Sequence, residues 1–88
     1  MATLSPDVLE DKLAVSLARV LAAANKQARE LGIDVAENIV TITQRPANGD
    51  MFWRINYSPK EHAGRRGGDF IVDVDPTDAT IRQVFRGQ

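Results

Sequence analysis

The hydrophobic pattern of the chain changes its period once, near Gly32, and this change fixes the order of its elements. After Gly32, apolar and polar residues alternate in short runs, which indicates β-strands. Before it, apolar residues recur every three or four positions, as on one face of a helix: Leu9, Leu13, Leu17, Val20, Ala24, Ala28 and Leu31. The chain is therefore predicted to form one helix followed by a sheet.

The helix is predicted over residues 6–31. Ser5 can cap its first free N–H groups, and Pro6 suits the first turn because its missing N–H would have no partner there. Gly32 is a natural residue for the helix to end on. At 1.5 Å per residue this helix is roughly 39 Å long, so part of it is expected to overhang the sheet.

Four strands are predicted, over residues 38–45, 51–57, 69–75 and 80–86. A five-residue loop, 46–50, joins the first two, and Pro76-Thr77-Asp78-Ala79 joins the last two. Short links favour antiparallel pairing. The order α-β-β-β-β therefore predicts an α+β fold, with one long N-terminal helix packed on one face of a four-stranded antiparallel sheet.

Strand alternation assigns side chains to the two faces of this sheet. The face below the helix is predicted to carry Trp53, Ile55, Tyr57, Phe70, Val72 and Val74, covered by Leu13, Leu17, Val20 and Ala24. The opposite face is predicted to carry Phe52, Arg54, Ile71, Asp73, Arg82, Val84 and Arg86. The first strand is apolar on both faces, so its register stays open.

Composition narrows the class of protein. The 88 residues suit one domain, 1–88, and a net charge of −1 provides no overall positive field for nucleic acid. The absence of cysteine excludes disulfides and thiolate metal sites and favours a reducing compartment. Early acidic residues argue against a signal peptide, and no apolar run could span a membrane. A cytoplasmic protein without a membrane partner is expected.

No catalytic, cofactor or metal site is predicted, and the protein is expected not to be an enzyme. His62 is the only histidine and lies in a glycine-rich loop, where no neighbour would orient it as a general base. Asp73, Asp75 and Asp78 do not match a calcium loop, because the sixth position from Asp73 is Asp78 and the twelfth is Val84.

The C-terminal half resembles known families in residues 51–86. The stretch Trp53-x-Ile55-x-Tyr57, a glycine-rich loop and then residues 67–75, ending in Val74-Asp75, is similar to the last hairpins of PepSY-like domains and of small bacterial α+β immunity proteins, including the nuclear-transport-factor-like kind. The turn at 76–79 departs from these families because it has no glycine. The resemblance implies a two-layer fold of the cystatin or PepSY-like kind and, for immunity proteins, a cytoplasmic inhibitor that acts by binding.

Two binding hypotheses follow. The first is a protein-binding module whose partner is another protein or a second copy in a homodimer. It is expected to act through the sheet face opposite the helix or through the basic loop with Lys60, Arg65 and Arg66. The sheet-face contacts are a mixture of apolar residues and arginine that is typical of interfaces: Phe52, Arg54, Ile71, Arg82, Val84 and Arg86. The second, less favoured, is nucleic-acid binding through the basic loop 60–66 with Lys60, Arg65 and Arg66. The plain alternatives are a solvated sheet face with cross-strand ion pairs and a charged flexible loop.

Overall fold

A computed structural model describes residues 7, 10–60 and 69–86. Its elements are helix α1 (Lys12–Glu30), a 3-10 turn (Val35–Glu37) and four strands: β1 (Asn38–Ala47), β2 (Asp50–Pro59), β3 (Phe70–Val74) and β4 (Ile81–Arg86). The strands form one antiparallel sheet in the order β1-β2-β3-β4. The predicted α+β class and strand order are confirmed.

The core lies between α1 and the sheet, mainly over β2 and β3. All six sheet residues predicted to be buried are buried. From the helix, Val20, Ala24 and Ala28 are fully buried, and Leu17 packs at the margin. Because two of the three buried helical residues are alanines, the helix backbone can approach the sheet closely. Tyr57 extends through this layer, and its hydroxyl donates a hydrogen bond to Asn25 Oδ1 at 2.6 Å.

The helix predicted over residues 6–31 is interrupted at Asp11. Asp7 is helical, Asp11 is not, and α1 covers only Lys12–Glu30. Asp11 is extended (φ −64°, ψ 111°), and its carboxylate accepts a 2.9 Å hydrogen bond from the Ala14 N–H, so it caps a helix that begins at Lys12. The predicted start at Ser5 and Pro6 lies outside the described residues. Leu13 was predicted to be core and is 63% exposed, because the first turn of α1 lies beyond the sheet.

The first hairpin is tighter than predicted. β1 and β2 continue to Ala47 and Asp50, and the loop is the two-residue turn Asn48-Gly49 rather than 46–50. Both turn residues have positive φ, 50° and 87°, as a type I′ turn requires. Pro46 is tolerated inside β1 because this strand lies at the edge of the sheet.

A β-bulge changes which side chains of β4 face the helix. Asp73 pairs with Gln83, whereas Val74 pairs with Ile81, so Arg82 is an extra residue. The alternation therefore shifts by one position after Arg82. Residues 84 and 86 lie on the helix-covered side, and the prediction that strict alternation places them on the opposite face is wrong.

The turn before β4 is built from aspartate side chains. Asp75 accepts a 2.8 Å hydrogen bond from the Thr77 N–H, and Asp78 accepts bonds from both the N–H and the hydroxyl of Thr80. The bonds to Thr80 lower the pKa of Asp78. Ala79 has φ 58°, the left-handed conformation that glycine adopts most readily. These contacts give Asp75 and Asp78 structural roles.

Candidate functional site: the open face of the sheet

We call the face of the sheet opposite α1 the open face. Among the described residues, no helix or strand covers it. The register arranges its side chains in cross-strand rows, of which three surround its centre: Thr41, Asn56, Ile71 and Phe85; Thr43, Arg54, Asp73 and Gln83; and Arg45 with Phe52. Neighbouring side chains in a row lie close enough to interact.

The middle row contains a bidentate ion pair. Arg54 Nε donates to Asp73 Oδ1 at 2.8 Å, and Arg54 Nη2 donates to Asp73 Oδ2 at 2.9 Å. Asp73 is only 3% exposed, whereas the Arg54 side chain is 28% exposed. Hydrogen bonding to the carboxylate raises the pKa of Arg54. The pair joins β2 to β3 and cancels most of the charge at the centre of the face.

Aromatic rings lie on either side of this pair. The Arg54 guanidinium carbon is 5.7 Å from the centre of the Phe52 ring and 5.6 Å from that of Phe85. Arg82, the bulged residue, lies 5.4 Å from the Phe52 ring centre. These are cation–π distances. The contacts hold Phe52, Arg54, Arg82 and Phe85 as one continuous cluster, which we call the arginine–aromatic cluster.

A shallow depression of about 310 Å³ opens beside this cluster. Its lining residues come from all four strands: Ala47, Phe52, Asp73, Arg82 and Gln83. The volume is at the low end of ligand pockets and suits one large side chain. Arg82 lines this depression, and its guanidinium favours an incoming side chain that carries a carboxylate or a carbonyl group.

The structure separates the predicted site residues into groups. Phe52, Arg54, Ile71 and Arg82 do lie on the open face. Val84 and Arg86 do not, because they lie opposite Val72 and Phe70 on the helix-covered side.

Arg86 and Lys60 bind backbone carbonyls of their own domain. Arg86 Nη2 donates to the Leu31 carbonyl at 2.9 Å, and its guanidinium lies 5.6 Å from the Phe70 ring centre. Arg86 thereby ties β4 to the C-terminal end of α1. Lys60 Nζ donates to the Ala36 carbonyl at 3.1 Å. Arg65 and Arg66 lie outside the described residues.

Phe85 is the site residue that the sequence interpretation missed. Strict alternation from Arg82 places Phe85 among the core residues, but the bulge turns it to the open face, where it is 38% exposed. One signal was present in the sequence. Strict alternation that turns Phe85 inward also turns the polar Gln83 inward and the apolar Val84 outward, which does not suit a buried face.

Residues 7, 10–60 and 69–86 contain no group of three metal-ligating side chains close enough to share an ion. No helix within them has the length and apolar character needed to cross a bilayer.

The fold and the open face define an α+β two-layer domain with one sheet surface that no described helix or strand covers. No protein-family model, curated protein or solved structure matches the chain. The resemblance to PepSY-like domains and immunity proteins therefore stays a prediction.

Proposed function

We propose that this domain is a small protein-binding module that acts through the open face rather than an enzyme. The observation that carries the proposal is the arginine–aromatic cluster on a sheet surface that no described element covers. Phenylalanine and arginine are enriched at interface centres. The resemblance to immunity proteins supports a cytoplasmic, inhibitory role as the biological form of this binding.

A partner that binds the open face would gain apolar contact at a low cost in side-chain entropy. Phe52 and Phe85 present apolar ring surface, and their cation–π contacts with arginine already fix their orientation. Little side-chain entropy is then lost on binding, which lowers the cost of association. The depression beside Phe52 can receive one anchoring side chain of the partner.

The test needs variants that change the surface without unfolding the domain. Arg54 is unsuitable, because its reversal would leave the buried Asp73 unpaired. Phe85→Ser combined with Arg82→Glu changes exposed groups only. Lys26→Glu is a matched control, since Lys26 is an exposed cation on the helix layer.

Tagged versions of the three proteins would be used for affinity capture from cells that express the protein, with quantitative mass spectrometry. Circular dichroism would first show that all three are folded. A protein recovered in stoichiometric amount by wild type and Lys26→Glu, and lost at least tenfold in the double variant, supports the proposal. Equal recovery by all three would show that the open face is not the contact surface.

The second candidate, nucleic-acid binding, was predicted from the loop 60–66 and has less support. Lys60 is engaged with Ala36, and Arg65 and Arg66 lie outside the described residues. A labelled single-stranded oligonucleotide, titrated at about 50 and about 200 mM salt, tests it, because phosphate contacts predict a steep loss of affinity with salt. Affinity that does not change with salt, or no binding, would reject it.

A further inference from the structure

The two edges of the sheet differ in how they are protected from pairing. β4 carries Arg82 and Arg86 and is interrupted by the bulge, and both features discourage edge-to-edge association. β1 is ten residues long, and its stretch 38–44 has no charged residue. Among the described residues, no strand pairs with the outer edge of β1. A long, uncharged edge of this kind is a template for another strand.

The turn geometry shows which backbone groups of β1 point outward. In the turn at Asn48-Gly49, the Ala47 carbonyl and the Asp50 N–H face each other across the hairpin. In an antiparallel pair, residues alternate between pointing towards and away from the partner strand. The odd-numbered residues of β1 therefore bond to β2, and its even-numbered residues point outward. Pro46 fits this assignment. As an even-numbered residue it points its nitrogen away from β2, so the hairpin loses no hydrogen bond through the missing N–H.

We propose that β1 pairs antiparallel with β1 of a second copy, about a two-fold axis at Thr41. Asn38, Val40, Ile42 and Gln44 have outward-pointing backbone groups, and one register pairs all four of them. In that register Asn38 lies opposite Gln44 of the second copy and Val40 lies opposite Ile42. Because the Asn38 N–H already donates to the Val35 carbonyl, the two copies then share about six backbone hydrogen bonds and form one continuous eight-stranded sheet.

The side chains match in the same register. On the open face, Thr41 lies opposite Thr41 of the second copy, and Ile39, which is 46% exposed, lies opposite Thr43. Glu37 is the last residue of the 3-10 turn before the strand and comes near Arg45 of the second copy, and both residues are exposed. This ion pair occurs twice because of the symmetry. Opposite charges across a strand pair are stabilising and like charges are destabilising, so the charges select this register and a second copy as the occupant.

The proposed dimer does not depend on the arginine–aromatic cluster. The two-fold axis is perpendicular to the sheet, so both copies of α1 lie on one side. The two open faces join on the other side into one continuous surface. A partner bound there could contact both copies, but the pairing of the strands needs none of Phe52, Arg82 and Phe85.

Cysteine cross-linking tests the register directly, because the natural chain contains no cysteine. Thr41→Cys brings two thiols together across the axis, within the Cα separation of under about 7 Å that a disulfide needs. Thr43→Cys is the matched control. Its two copies would be four residues apart along the strands, roughly 13 Å at 3.3 Å per residue.

Under mild oxidation, most of the Thr41→Cys protein should run as a covalent dimer on a non-reducing gel, and Thr43→Cys should remain at least tenfold less cross-linked. Equal cross-linking of the two variants, or none with Thr41→Cys, would overturn the proposal.

Charge exchange provides an independent measurement. Light scattering over a concentration series gives the dimer dissociation constant of the wild-type protein. Glu37→Arg and Arg45→Glu should each raise it roughly tenfold, and the double variant should restore it. A wild-type protein that is monomeric throughout the series, or single variants that dimerise as well as wild type, would contradict the pairing.

Discussion

Arg54 and Asp73 lie directly opposite each other on β2 and β3 and share two hydrogen bonds, of 2.8 and 2.9 Å. The two partners are unequally placed, because Asp73 is almost fully buried whereas Arg54 is partly exposed. The carboxylate therefore depends on the guanidinium for its partners, while the guanidinium can also reach water.

Because of this asymmetry, replacing Arg54 and replacing Asp73 should lower the free energy of unfolding by different amounts. Arg54→Met should lower the free energy of unfolding by about 3 kcal/mol, since it leaves a buried carboxylate without a counter-ion. Asp73→Asn should cost less, about 2 kcal/mol, because water can solvate the released guanidinium. Urea denaturation measures both. The double variant should cost clearly less than the sum, and additive costs would show that the pair is not coupled.

Burial of Tyr57 predicts a loss of stability at alkaline pH. Desolvation raises the pKa of its phenol to about 12, with the charge of Arg29 acting weakly in the opposite direction. An unfolded tyrosine ionises near pH 10. The neutral phenol of Tyr57 therefore contributes its full stabilisation of the folded state below about pH 10. This contribution falls as the pH rises and is lost by about pH 12. Urea titrations from pH 8 to pH 11.5 measure this slope.

Tyr57→Phe is the control for that experiment. It removes the titrating group, so its stability should fall less steeply above pH 10 than that of wild type. The variant should also be less stable at neutral pH, because the hydrogen bond to Asn25 is lost. Identical slopes for the two proteins would assign the alkaline effect to other groups.

Substitution of Gly49 in the turn at Asn48-Gly49 is predicted to lower stability through backbone strain and not through altered packing. Gly49 has φ 87°, and a Cβ added there would meet no atom within 4 Å. Gly49→Ala should therefore lower the unfolding free energy by about 1 kcal/mol through conformational strain alone. Asn48→Gly is the matched control and should be close to neutral, since glycine adopts positive φ without strain. Thermal denaturation would show the difference, and an unaffected Gly49→Ala protein would disprove the strained turn.

Arg86 is predicted to contribute to stability. Arg86→Ala removes the hydrogen bond to the Leu31 carbonyl and the contact with Phe70, which should cost about 1 kcal/mol. Arg82→Ala, which removes a contact at the exposed bulge, should cost less than about 0.5 kcal/mol. Chemical denaturation of both variants compares them directly. A larger loss from Arg82→Ala would reverse the assignment of the two arginines.

The sequence by itself determined the fold class, the order of the elements and most of the core. Alternation along β2 and β3 assigned Trp53, Ile55 and Tyr57 to the buried face, because side chains of a regular strand must point to opposite sides. The same rule placed Phe52, Arg54 and Asp73 on the open face. Asn48-Gly49 was recognised as turn chemistry, although the tighter two-residue turn was not.

Only the tertiary structure decided the start of α1, the length of the first hairpin and the composition of the site. The bulge at Arg82 arises from how β3 and β4 pair, and no local pattern fixes the position of an extra residue. A shift of one residue exchanges the two faces of a strand, so Phe85 joined the open face and Arg86 moved to the end of α1. Local periodicity sets which residues can share a face, whereas register is a property of two strands together.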